Sequence, residues 1–103
     1  MSNYDDVQVY VNTADANNAL AFPCRIHKVQ VESADGLGAV SVQLHDAATV
    51  TGTAKISVTT EQVYASNFTR TSREDFNPPV RFETGVSANI TGTGTYRIYY
   101  SKF

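Results

Sequence analysis

The chain has no tryptophan, one cysteine, two histidines and a charged fraction of only 17%, and each scarcity removes a class of function. With Cys24 alone, no intrachain disulfide can form. It follows Pro23 and opens an apolar stretch, so it reads as a small buried hydrophobe rather than a reactive thiol. No close-spaced Cys/His pair and no acidic calcium loop occur, so neither a metal nor another cofactor is expected. His27 lies mid-strand, and His45 reads as a surface or turn residue. His45 and Asp46 are adjacent, and neighbours on a strand point to opposite faces, which argues against a proton relay. The carboxylate pairs Asp5-Asp6 and Glu74-Asp75 read as solvated turns. Gly36-Leu37-Gly38 and Gly92-Thr93-Gly94 precede strands and so lack the helix N-terminus of a phosphate cradle. Two glycosylation sequons, at Asn67 and Asn89, read as chance in a Thr-rich chain. The expectation is a protein that is not an enzyme.

Cations are few as well. The net charge is -2 and the eight Lys and Arg are scattered; Arg70 and Arg73 come nearest to a cluster, and Glu74 and Asp75 follow at once. A phosphate-binding surface needs clustered cations, so no nucleic acid is expected. No apolar run approaches the ~20 residues of a membrane span. Met1 to Asp6 is polar and acidic, unlike a signal peptide, which predicts a protein made and folded in a reducing cytoplasm.

Thr, Ser, Asn and Gln stand where charges are missing, a composition that favours strands and turns over helices. Period-two alternation predicts strands through Val7, Val9 and Val11, then from Cys24 to Glu32, through Val40, Val42 and Leu44, and through Ala54, Ile56 and Val58. Further strands are predicted through Val80 and Phe82, through Val86, Ala88 and Ile90, and through Tyr96, Ile98 and Tyr100, with Arg97 and Tyr99 outside. In the second of these, Cys24 and Ile26 are out of phase with Val29 and Val31, which predicts a bulge near His27 and Lys28. Asn12 to Asn18 reads as a loop, and Ser33 to Gly36 as a turn. Residues 66–79 read as a long connection anchored at Phe68 or Phe76, because Pro78-Pro79 excludes a central strand. The whole of 1–103 is expected to form one all-β domain, an antiparallel β-sandwich of seven or eight short strands. Jelly-roll-like and immunoglobulin-like orders share this periodicity.

Aromatics are the remaining signal: six Tyr and five Phe, several outside the predicted core phase. Tyrosine suits protein interfaces, offering a rigid apolar face with a polar tip. Tyr4, Val7, Tyr10, Tyr99 and Phe103 lie near the chain ends and are the candidate interface residues.

The stretch Phe82 to Tyr100, with its Thr84-Gly85 turn, its Gly92-Thr93-Gly94 hairpin and the final Tyr96-Arg97-Ile98-Tyr99-Tyr100, resembles the end of small β-sandwich virion proteins of tailed phages. Weaker similarity extends back through Cys24 to Val31 and Ala39 to Asp46. The resemblance implies a head decoration or cement protein on the capsid surface, a homotrimer that clamps the major capsid protein, with Met1 to Asp6 as a short arm. Two alternatives stand beside it: a ring-forming tail or neck protein, and a carbohydrate-binding sandwich.

Overall fold

The structure, a computed structural model, describes residues 7–34, 39–60 and 71–102. These contain eight strands: β1 (Gln8–Asn12), β2 (Ala16–Leu20), β3 (Cys24–Ser33), β4 (Ser41–His45), β5 (Ile56–Thr59), β6 (Thr71–Phe82), β7 (Val86–Thr91) and β8 (Gly94–Lys102). They form two four-stranded antiparallel sheets, ordered β1-β8-β3-β6 and β2-β7-β4-β5, packed together as a β-sandwich. The pairing is nested: β1 with β8, β2 with β7, β3 with β6 and β4 with β5. β8 also lies against β3, and β7 against β4, which completes each sheet.

Side chains alternate across a strand, so each inner face is set by every second residue. The first sheet contributes Cys24, Ile26, Val29, Val31, Phe82, Tyr96 and Ile98, and the second Val42, Leu44, Ile56, Val58, Val86 and Ala88, all buried in one core. Removing such a side chain from water is worth about 1.5–3 kcal/mol, and this term holds the two sheets together. The change of phase in β3 is resolved by a register shift between Ile26 and Lys28, against both β6 and β8. With His27 as the extra residue, Cys24, Ile26, Val29 and Val31 all reach the same core.

Three expectations are corrected. Residues 71–79 are not a connection but most of β6, an edge strand. An edge tolerates proline because one side of its backbone needs no partner. Between Val80, opposite Ile26, and Asp75, opposite Lys28, residues 76–79 bulge out; the Asn77–Pro78 bond is cis and Phe76 packs on the core. The segment read as a loop to Asn18 contains the start of β2. Here the ladder to β7 is broken, and side chains patch it: Ile90 N–H donates to Asp15 Oδ1 (2.7 Å) and Asn18 N–H to Ser87 Oγ (3.0 Å). In β1 the phase is inverted. Tyr10 packs inward against the core, whereas Val9 and Val11 are 46% and 53% exposed. The Asp35-Gly36 turn, Glu61 to Ala65, Phe68 and the 1–6 arm lie outside the described residues.

Candidate functional site

The outer face of the first sheet is built in rows by the strand register. Val9, Tyr99, Lys28 and Asp75 form one row across its four strands, and Val11, Arg97, Gln30 and Arg73 the next. Lys28 Nζ lies 4.3 Å from the centroid of the Tyr99 ring, a cation–π contact that covers that face of the ring. Arg73 and Asp75 form a solvent-exposed pair at 3.7 Å. Charge on this face therefore lies on β8, β3 and β6, with Arg97 beside Val11, and β1 itself contributes only the two valines. Val9 and Val11 are the exposed large hydrophobic residues among those described, and both belong to β1.

β1 is also an edge, since among the described residues only β8 pairs with it. Edge strands carry unpaired backbone groups, and proteins guard them with charges, prolines, bulges or shortness. Three edges of this sandwich carry such guards. β6 has Arg73, Glu74, Asp75, Pro78, Pro79 and Arg81. β2 has its broken register and Asn18 at φ 55°. β5 has four residues, with Lys55 just before it. β1, Gln8-Val9-Tyr10-Val11-Asn12, has neither charge nor proline, and its register with β8 is unbroken over all five residues.

The aromatic rings near this edge are engaged in the fold. Tyr10 lies 6.3 Å from Tyr96, and its hydroxyl accepts from Asn12 Nδ2 at 2.8 Å. Tyr96 donates to the Ala14 carbonyl at 2.7 Å. Burial first, then the neighbouring Tyr10 and Asp15, hold its hydroxyl protonated far above the ordinary tyrosine range. Tyr100 donates to Gln8 Oε1 at 2.9 Å and packs against Phe22, over which Lys102 Nζ sits at 4.5 Å.

Elsewhere, titratable groups are tied into structure. His45 is buried, not a surface residue: it points away from the core, opposite Ser87, and the connection after β4 folds over both. Its Nδ1–H donates to the Thr51 carbonyl at 3.1 Å, and Ser87 Oγ donates to the Ala47 carbonyl at 2.8 Å. His45 Nε2 has no partner among the described residues. Asp46 turns the other way, as expected, and accepts from the N–H groups of Glu83 and Thr84. Cys24 is fully buried, and burial, with the Asp46 charge adding, raises its thiol to about 11. His27 Nε2 lies 2.8 Å from Ser101 Oγ, and burial followed by Arg25 lowers its pKa. Among the described residues, no three of His, Cys, Asp and Glu gather into a potential metal site.

No family model, curated protein or solved structure matches the chain.

Of the interface residues read from the sequence, Tyr4 and Phe103 lie outside the described residues. Tyr99 stands on the outer face as expected, and Val7 is half-buried just before β1. Tyr10 is corrected, because its ring belongs to the core side. Val9 and Val11, which the alternation places inside, stand outside, and only the pairing with β8 reveals it: Tyr10, in register with Ile98, shares the phase of the Tyr96-Ile98-Tyr100 core set.

Proposed function

We propose that this protein is a structural, protein-binding module whose setting is the head of a tailed phage, where it decorates the lattice of the major capsid protein. The observation that carries the reading is the unguarded β1 edge with Val9 and Val11 exposed beside it. A soluble domain normally blunts such an edge, and leaving it open suits a chain that completes itself against another protein. The nested strand pairing is read here as a jelly-roll wrap, an architecture used by viral capsid domains. It fits the phage-like C-terminal stretch from Phe82 to Tyr100. Attachment in many copies to a repeating lattice lets modest contacts add up to durable binding.

A carbohydrate-binding sandwich would need free ring faces, and among the described residues Lys28 covers one face of Tyr99, Tyr10 packs on Tyr96, and Lys102 covers one face of Phe22.

Virions of the phage that encodes the chain provide the test. Purified heads are expected to carry the protein in stoichiometric amount, and heads stripped of it by mild denaturant are expected to take the pure protein back. Its absence from purified virions, or stripped heads that ignore it, would overturn the reading.

A further inference from the structure

We propose that β1 pairs with β1 of a second copy of this chain, antiparallel and centred on Tyr10, joining two first sheets into one continuous sheet. The inference rests on the reading of β1 as a binding edge and names its occupant.

The strand itself argues for a second copy. Gln8-Val9-Tyr10-Val11-Asn12 reads nearly the same in both directions. Laid antiparallel about Tyr10, Gln8 faces Asn12, Val9 faces Val11 and Tyr10 faces Tyr10, so amide meets amide and valine meets valine. Val9 and Val11 share the outer face, because alternate residues do. Pairing therefore gathers four valines, two from each copy, into one apolar strip at the seam, and cross-strand β-branched pairs are favourable. No charge on β1 opposes its own image, which is the usual obstacle to pairing identical edges. The three other edges offer no such match, for each carries a guard. The backbone is ready as well, since the unbroken β1–β8 register leaves β1 regular along its length. Such a contact is isologous and closes at two copies, in place of the trimer that the phage resemblance implies.

The experiment is light scattering over a size-exclusion column across a range of concentrations, on the unsubstituted protein and on Val9→Lys and Val11→Lys. Both valines are half-exposed, so either lysine should leave the fold, read by circular dichroism, intact. The expected result is a dimer for the unsubstituted protein and dimerisation weakened by at least about tenfold for each variant, because a lysine then replaces a valine in both cross-strand pairs and the two lysines lie diagonally across the seam. Hydrogen exchange gives a second reading without substitution: amides of residues 8–12 should slow as concentration rises. A trimer, a monomer at every concentration, or a dimer unaffected by both lysines overturns the pairing. These outcomes separate the two proposals. A dimer missing from virions sinks the capsid reading alone, and a virion-bound trimer or monomer sinks the β1 pairing alone.

Discussion

Two backbone N–H groups of the turn between β6 and β7, those of Glu83 and Thr84, end on the Asp46 carboxylate at 3.0 and 2.8 Å, and Lys55 Nζ lies 3.6 Å away. Partial burial alone would raise the Asp46 pKa. The N–H groups of Glu83, Thr84 and Gly85, with Lys55, outweigh it and hold the carboxyl below its ordinary 3.8. A folded pKa below the unfolded one means stability that is present above about pH 4 and lost as pH falls through the folded value. Asp46→Asn is therefore expected to lose about 1–3 kcal/mol at pH 7, the usual worth of hydrogen bonds to a charged group. In urea titrations that gap should close as pH falls from about 4 through the lower folded value. Cys24 gives a second residue-scale outcome. Its thiol is fully buried and raised to about 11, so iodoacetamide at pH 8 should label it only as fast as the protein unfolds, and at once in urea. Gly94 gives a third. A Cβ there would lie 2.2 Å from the Glu32 carbonyl oxygen, where β8 meets β3, and Gly94→Ala should lower the denaturant midpoint by the equivalent of ~2 kcal/mol or more.

At the scale of elements, the inverted phase of β1 has a direct test. Tyr10→Ala removes a ring packed on Tyr96 and should cost about 1–3 kcal/mol, less than a fully buried aromatic because Tyr10 is half-exposed. Val9→Ser should change monomer stability by no more than about 0.5 kcal/mol. The reverse order, from chemical denaturation of dilute protein, would restore the valine-inward phase. The same element shows where the sequence was legible. β4 and β8 announce themselves because Val42, Leu44, Tyr96, Ile98 and Tyr100 alternate cleanly and both strands have neighbours on each side. The β3 bulge was legible too, since Cys24 and Ile26 fall out of step with Val29 and Val31. Edge strands were not. β1 has apolar residues in both phases, and nothing local says that tyrosine goes in while valine stays out. β6 reads as a connection because an edge needs few buried residues, and its Phe76 and Val80 are separated by a bulge rather than by alternation. β2, Ala16-Asn17-Asn18-Ala19-Leu20, has no alternation to read and is a strand because β7 and the side chains of Asp15 and Ser87 hold it. The candidate site lies on an edge, so it was the part least visible in advance.

For the whole molecule, nested pairing means that most strands meet partners distant in sequence, with β4–β5 the most local pair. Long-range pairing slows folding, because loop-closure entropy is lost before contacts form. Stopped-flow refolding is expected to take ~ms to s, the range of all-β sandwiches, and a microsecond phase carrying the full amplitude would contradict this. The same nesting bears on how the chain leaves the ribosome. Tyr10 is among the first core residues made, and Ile98, its partner across β1 and β8, among the last. At ~5–20 residues per second the wait is on the order of ten seconds. Throughout that interval an uncharged β-prone segment hangs from each nascent chain, and neighbouring chains on one messenger hold identical segments close together. Translation itself thus brings β1 near another β1 before β8 exists to claim it.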